Sequence, residues 1–449
     1  MAVYDAIRGE IEAAGGRAYI VGGSVRDMLR GHGDYKDIDT EVYGMAAGTL
    51  VEVLARFGEV NTVGASFGVI KLRAGGDEFD FSLPRRDSRV GAGHRGFMVE
   101  VDHAMTVEEA ARRRDYTINA ISVDRDGQII DPYGGVEDLR ARRLRHTSAA
   151  FAEDALRVLR GFQFAGRMRL TVTRETAALC RSLVGEYPTL ARERVWGEWE
   201  KWASKSETPS QGLEFLVSSG WVRLYPEIAA MLRVPQDSTW HPEGSVYLHT
   251  KHVVDAAMAI ARREGLDAER RVALVLAALC HDMGKPATTQ RNEAGRWVAP
   301  GHAEAGVEPA RRFLESIGAP RGVIEEVAEL VAFHMRHIGF SGGRAARRLA
   351  AGMKATTPYM LGLVMEADHS GRPWTGEFQM PADGTAFIAE MEAAVSAVQP
   401  ILMGRHLIAV GMRPGPAMGK VLRMVHDAQV EGEVSSFEDA MAMAMRLAA

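Results

Sequence analysis

One change of rhythm constrains this chain more than any other feature. Up to about residue 145, short runs such as "AYIVGG" (Ala18 to Gly23), "KDIDTEVYG", "GVIKLRA" and "EFDFSLP" alternate apolar and polar residues. After Thr147, apolar residues recur at helical spacing, as in "FAEDALRVLRGFQFAGRM", and do so to the end. A period of two sends successive side chains to opposite faces of a strand, whereas a period near 3.6 makes one stripe along a helix. The order strand-rich, then helical, predicts an α+β N-terminal domain followed by an all-α body. At 449 residues the chain exceeds a single core. Breaks at Val234 to Ser245 and near Gly371 to Gly376 divide it into segments 1–146, 147–235, 236–372 and 373–449.

Composition narrows the function classes. The longest apolar run, Val272 to Cys280, is too short to span a bilayer, so no membrane partner is expected. The N-terminus carries acids early and lacks the apolar core of a signal peptide. Two cysteines far apart in sequence, Cys180 and Cys280, suit a reducing cytoplasm rather than a disulfide framework. The net charge of −5 conceals a basic stretch from 111 to 169, containing "ARRRD" and "RARRLRH". Local basic charge on an acidic chain is the footprint of phosphate contacts.

Three segments of the first domain point to nucleotide chemistry. "YIVGGSVRDMLRG" reads as a strand, a turn at Gly22-Gly23 and a helix. Such a turn brings backbone N–H groups to an anion, and Arg26 sits one turn on, within reach of a triphosphate. In "KDID", Asp37 and Asp39 occupy positions i and i+2 of a strand and project together. Two adjacent carboxylates repel unless they share a hard cation, so the pair predicts a magnesium site for in-line displacement at phosphorus. "EFDFSLP" supplies a third carboxylate: Phe79, Phe81 and Leu83 take one face, leaving Asp80, with Glu78 as the alternative, on the other.

The sugar and base would be read further along. In "RRRDYTINAI", Arg114 and Asp115 are predicted to open a helix on which Asn119 faces the same side, an arrangement suited to a ribonucleotide. In "AEDALRVLRG", Asp154, Arg157 and Arg160 are predicted to share one helical face. A carboxylate acceptor beside a guanidinium donor complements the amino group and ring nitrogen of cytosine and adenine. Uracil and guanine present the reverse order, which predicts use of CTP and ATP and refusal of UTP and GTP by roughly 10⁴-fold.

"VGGSVRD", "KDIDTEV", "RRDYTINAI", "DPYGG" followed by Arg145, and "EDALRVLR" together resemble the ordered motifs of class II CCA-adding tRNA nucleotidyltransferases and their poly(A) polymerase relatives. The likeness covers about residues 18 to 165, and "ARERVWGEWEK" is similar to the neck motif that follows. It implies a polymerase β-like nucleotidyltransferase head over 1–146 and an elongated all-α neck and body over 147–235, with tRNA as partner. It places Gly23 and Arg26 at the triphosphate, Asp37 and Asp39 at magnesium, Arg114 and Asp115 near the sugar, and Asp154, Arg157 and Arg160 at the base. One departure is Gln163, where some members carry a further arginine. The glycine-rich "RRDSRVGAGHRG" (Arg85 to Gly96) looks like a flexible loop found in members that add the terminal A.

Seven of fourteen histidines fall between His241 and His337. Imidazole with carboxylate suits transition metals such as manganese or nickel. "HTKHVVDAA", "CHDMGKP" and "MEADHSG" resemble the HD phosphohydrolase superfamily, whose four-ligand pattern His252, His281, Asp282 and Asp368 match. His302, His334 and His337 are candidates for a second metal. The resemblance implies an HD domain over 236–372, acting on 2′,3′-cyclic phosphates and related esters, ahead of a helical tail over 373–449. Enzymes adding only CC, only A or poly(A) share nearly all these motifs. Regulatory nucleotidyltransferase–HD proteins differ in domain order or carry sensory repeats, and a non-catalytic RNA-binding relative would have lost Asp37 or Asp39.

Overall fold

The computed structural model describes residues 2–31, 38–62, 69–89, 97–336, 342–372, 393–394 and 398–448. These form two compact units: residues 1–202 with 206–224, and residues 203–205 with 225–449.

The first unit opens with helix α1 (Ala2–Ala13), strand β1 (Arg17–Val21), helix α2 (Gly23–Leu29), strand β2 (Asp39–Tyr43) and helix α3 (Ala47–Leu54). Strands β3 (Glu59–Asn61), β4 (Val69–Ala74) and β5 (Asp77–Ser82) follow. A separate antiparallel pair, β6 (Arg85–Arg89) and β7 (Phe97–Val101), precedes α4 (Val107–Arg112), β8 (Ser122–Val123) and β9 (Ile129–Ile130). The main sheet runs β3-β4-β5-β2-β1-β8-β9. Its pairs are antiparallel except β2 with β5, which run parallel and set Asp39 opposite Asp80. The alternation in β5 is realised: Phe79, Phe81 and Leu83 are buried, and they join Ile7, Ile11, Leu50, Leu54 and Ile70 in one core.

Helix α5 (Gly135–Arg140) and strand β10 (Arg143–Leu144) lead into helix α6 (Leu156–Met168). Strand β11 (Thr171–Val172) then returns to pair in parallel with β10, ahead of α7 (Arg174–Ser182), α8 (Arg192–Lys205) and α9 (Pro209–Ser219). Among the described residues, only Arg142 (φ 52°) and Arg169 (φ 55°) are non-glycine residues in the left-handed region. Each sits where a helix has just ended, a position glycine usually fills, at a backbone cost of roughly 1–2 kcal/mol.

The second unit is helical: α10 (Pro226–Met231), α11 (Val246–Arg263), α12 (Ala268–Cys280), α13 (Lys285–Thr288), α14 (His302–Ser316), α15 (Arg321–Phe333), α16 (Gly342–Gly352) and α17 (Pro358–Ser370). Every residue from Val272 to Cys280 on α12 is buried, so α12 is a central helix packed against α11, α15 and α17. A hairpin of β12 (Gln290–Arg291) and β13 (Trp297–Val298) interrupts the series. With β11, it corrects the expectation of unbroken helix beyond Thr147; two-residue pairs are too short to leave a period in the sequence. Helices α18 (Gly404–Ala409), α19 (Pro416–Glu431) and α20 (Phe437–Ala448) share a small core with Leu402 and Val434.

Candidate functional sites

In the first unit the polar edge of the sheet gathers the expected nucleotide residues. Gly22 has φ 69°, and a Cβ there would lie 2.5 Å from Arg114 Nη1, so only glycine lets that guanidinium reach the turn. Arg26 approaches from the other side, its Nη2 within 3.5 Å of where a Gly23 Cβ would stand. Ser24 Oγ accepts the Asp39 N–H at 3.1 Å and ties the turn to β2. Asp39 is exposed and has Asp80 as its cross-strand partner.

The register separates the two candidates for the third carboxylate. Asp80 stands opposite Asp39, whereas Glu78 lies one full pleat away, bonded to Lys71 at 2.8 Å and Arg73 at 3.4 Å. Asp80 Oδ1 pairs with Lys71 Nζ at 3.2 Å. Two acids set opposite each other on neighbouring strands are a donor set that fits a divalent cation. Asp37 lies outside the described residues, as does most of the Arg85 to Gly96 loop. Glu41, next on the same face of β2, is buried and occupied by Tyr43 Oη (2.8 Å) and Arg114 Nη2 (3.2 Å).

A buried polar chain runs behind the turn. Arg26 donates to both oxygens of Asp27 (2.9 and 2.8 Å) and to Asn119 Oδ1 (2.6 Å). Asn119 Nδ2 donates to Asp115 Oδ1 (2.9 Å), and Arg160 Nε donates to Asp115 Oδ2 (2.6 Å). Burial alone would raise the Asp115 pKa, but Arg160, Asn119 and the Tyr116 N–H outweigh it and hold the carboxyl below its ordinary value. Arg114 and Asp115 do not open a helix. They lie in the bend after α4, and Asn119 ends a 3₁₀ turn, Thr117–Asn119. Asp115 captures the Tyr116 N–H with its side chain (2.8 Å), which competes with helix continuation.

The segment expected to read the base is also rearranged. Asp154 is extended (φ −134°, ψ 107°) and precedes α6, its Oδ1 accepting the Leu156 N–H at 3.0 Å. This local bond draws it off the helical face, so its ion pair forms with Arg194 Nη2 (2.8 Å) rather than Arg157. Arg157 Nη1 donates to the Ala150 carbonyl (2.8 Å), and Gln163 is buried further along α6. Arg194 has no counterpart in the sequence reading; a contact between separate helices leaves no mark in local spacing.

In the second unit, five helices bring their ends or inner faces to one point. His249 lies on α11, His281 and Asp282 follow α12, His302 begins α14, His334 follows α15, and Asp368 lies on α17. His249 Nε2 is 2.9 Å from Asp368 Oδ1, and its Nδ1 is 2.8 Å from Glu243 Oε1. His252, expected as a ligand, is exposed on the outer side of α11 and stands apart from the cluster. The buried stripe Val246, Val253, Ala257, Ile260 passes through His249, and that spacing was the available signal.

His281, His302 and His334 each donate Nδ1–H to a carbonyl three residues back: Ala278 (2.8 Å), Ala299 (2.8 Å) and Val331 (2.7 Å). A carbonyl can only accept, so in each neutral imidazole the lone pair lies on Nε2, the state a metal ligand requires. His281 Nε2 is buried, makes no hydrogen bond and lies 3.2 Å from Asp282 Oδ2; His302 Nε2 lies 3.4 Å from Asp282 Oδ1. The ligand atoms of His249, His281 and Asp282 lie within 4.8 Å of one another, as do those of Asp282, His302 and His334. Asp282 is common to both sets, and the donors fit one or two divalent ions of borderline softness.

Electrostatics agree with that chemistry. Burial pushes the His334 imidazole down to about 3, with His281 adding to the effect, so it is neutral. Burial opposes ionisation of Asp282, but His281 and Lys285 hold it well below the carboxylate range, and Lys285 Nζ lies 2.7 Å from its Oδ2. Burial likewise opposes protonation of His249, yet Asp368 and Glu243 raise its pKa. Gly284 lets α14 close in: a Cβ there would fall 2.0 Å from the His302 carbonyl oxygen. His337 lies outside the described residues. Glu243 and Lys285, both buried in this cluster, were not anticipated.

Comparison with known proteins finds one matching domain family in each unit. Residues 18–145 match the Poly A polymerase head domain, and residues 246–360 match the HD domain. The chain is similar to the multifunctional CCA protein of Halorhodospira halophila, at 39% identity over 71% of this chain and 73% of that one. It is similar also to that of Xanthomonas oryzae pv. oryzae, at 34% identity over 92% and 98%. In fold it is similar to the Thermotoga maritima CCA-adding enzyme complexed with tRNA: TM-score 0.61, 17% identity, 100% of this chain and 95% of that one. The Bacillus stearothermophilus CCA-adding enzyme in complex with CTP gives TM-score 0.61 and 19% identity over 99% and 96%. With 39% and 34% identity to these relatives over more than two thirds of each chain, this chain belongs to the multifunctional CCA protein family.

Proposed function

We propose that this chain adds CMP and AMP to the 3′ end of tRNA to complete CCA, and that its HD segment hydrolyses phosphoesters such as 2′,3′-cyclic phosphates at RNA ends. The parallel register of β2 and β5 carries the first part, because it sets Asp39 beside Asp80 at the edge of a turn flanked by two arginines. The terminal 3′-hydroxyl oxygen bonds to the α-phosphorus of CTP or ATP while the bond to pyrophosphate breaks. Asp39 and Asp80, with Asp37, would hold magnesium, which when bound supplies activation of the hydroxyl and charge neutralisation at the leaving group. Gly22, Gly23 and Arg26 frame the triphosphate, and Arg114 reaches the same turn. Asp115 and Asn119 support the sugar side and fix Arg160. Asp154, held by Arg194, accepts from the base amino group while Arg157 donates to the ring nitrogen.

For the HD segment, the reading rests on His249, His281, Asp282 and Asp368, with His302 and His334 offering a second site. Manganese or nickel would supply Lewis-acid activation there when bound, and the family uses divalent metals. A cytoplasmic setting is consistent with two buried free cysteines, and no described helix is long and apolar enough to cross a membrane.

The test offers transcripts ending before C, after C and after CC with CTP, ATP, UTP and GTP. Addition of C, C and A in order is expected, and Asp39→Asn is expected to slow it roughly 10³-fold. Efficient UMP addition, or no addition to any tRNA, overturns the assignment. Hydrolysis of a 2′,3′-cyclic phosphate at an unchanged rate in Asp282→Ala overturns the HD reading alone.

A further inference from the structure

Outside both sites, the first unit carries a cavity of about 670 Å³ lined by Arg142, Arg143, Arg169 and Arg174 together with Thr171, Gln211 and their neighbours. Its lining contains four guanidinium groups, no carboxylate and no aromatic ring. Carboxylates reach in only from outside: Asp138 and Glu137 to Arg143, and Glu207 to Arg169 at 3.6 Å. Glu207 is shared with Arg30, and Asp138 with Arg145. Among the described residues, Arg142 and Arg174 have no carboxylate partner.

A second observation converges on the same place. Among the described residues, Arg142 and Arg169 are the two left-handed non-glycine residues, and both line this cavity. They end α5 and α6, and Thr171 N–H donates to the Arg142 carbonyl at 2.9 Å, so the β10–β11 pairing holds the two turns side by side. Glycine would fit both positions with less strain. A cation gains from the dipole at a helix C-terminus, but arginine has that gain in ordinary helical backbone one residue earlier. Strain kept at two adjacent positions points to a use for the side chains.

We propose that this cavity binds the sugar–phosphate backbone of the tRNA stem, as an anchoring subsite that shares no lining residue with the nucleotide site. The proposal rests on the tRNA reading given above. Guanidinium forks bind phosphate oxygens in bidentate fashion, and threonine and glutamine side chains bond phosphate or 2′-hydroxyl groups. Without an aromatic ring there is no platform on which a base or free nucleotide would stack. The volume admits a run of backbone rather than a single ion.

The experiment measures binding of a full-length tRNA transcript to the whole protein across a salt series, for wild type, Arg142→Gly/Arg169→Gly and Arg174→Gln. Glycine suits the left-handed backbone, so the double variant is expected to melt no lower than wild type. Its tRNA affinity is expected to fall about tenfold, and the slope of log Kd against log salt to fall by about two; Arg174→Gln lowers the slope by about one. If the double variant does not fold, Arg174→Gln decides, since its side chain is exposed on the first turn of α7. Unchanged affinity and slope in a folded variant, with wild type binding tRNA, overturns the subsite alone. A matching loss of CTP affinity also overturns it. Failure of wild type to bind tRNA overturns the tRNA reading and the subsite with it.

Discussion

His249 and His252 lie on one helix, yet one is fully buried beside Asp368 and the other faces solvent. Spacing alone offered two histidines; the apolar stripe of α11 decides between them, because its inner face packs on α12 and α17. His249→Ala is expected to weaken binding of manganese or nickel by roughly 10²-fold or more, while His252→Ala leaves it within about twofold. Calorimetric titration of the metal-free protein checks both, and a loss in His252→Ala would return that residue to the ligand set. Asp154 teaches a related lesson. Its sequence neighbours are helical, but a short carboxylate can bond the backbone two residues on and step out of the helix. The residue types of the segment proposed to read the base were legible, and their geometry was not.

At the scale of elements, close approach matters more than propensity. Gly284 has the His302 carbonyl and the Gly306 N–H where a side chain would go. Gly284→Ala is expected to displace α14, cost about 1–3 kcal/mol and abolish cyclic-phosphate hydrolysis while CTP and ATP incorporation persists. Melting curves and paired assays check this; loss of both activities would contradict it. In the first unit, α2, the bend after α4, and α6 are joined through Arg26, Asn119, Asp115 and Arg160. The folded-state pKa of Asp115 lies below its unfolded value. Its contribution is therefore complete above the unfolded pKa of about 4 and is lost as pH falls further, toward the folded value. Asp115→Asn is expected to flatten the acid limb below about pH 4 and to lower stability at pH 7 by about 2 kcal/mol. Urea midpoints measured from pH 2.5 to 6 in both proteins test this, and parallel curves would exclude Asp115 as the source. Periodicity announced the strands and helices themselves, because it is local. It was silent about which strand ends beside which, and about 3₁₀ turns and two-residue pairings.

At the scale of the whole molecule, the segment matching the Poly A polymerase head and the segment matching the HD domain fall in separate compact units. The division into a strand-rich start and a helical remainder was legible from rhythm alone. The convergence of five helices on one cluster of histidines and carboxylates was not, because each contributes only one or two polar residues to an apolar pattern. The parallel pairing of β2 with β5 has a further consequence, for time rather than place. Asp39 and Asp80 cannot meet until the chain between them has folded back through β3 and β4, so their closure carries a loop entropy that local helices escape. On refolding, far-UV ellipticity is expected to recover ahead of CTP incorporation; simultaneous recovery would mean that the pair closes with the local structure. On the proposed roles of Asp39 and Asp80, catalytic competence is expected to be a late marker of assembly in this head, with a partly folded chain inert toward nucleotides even where its helices are native.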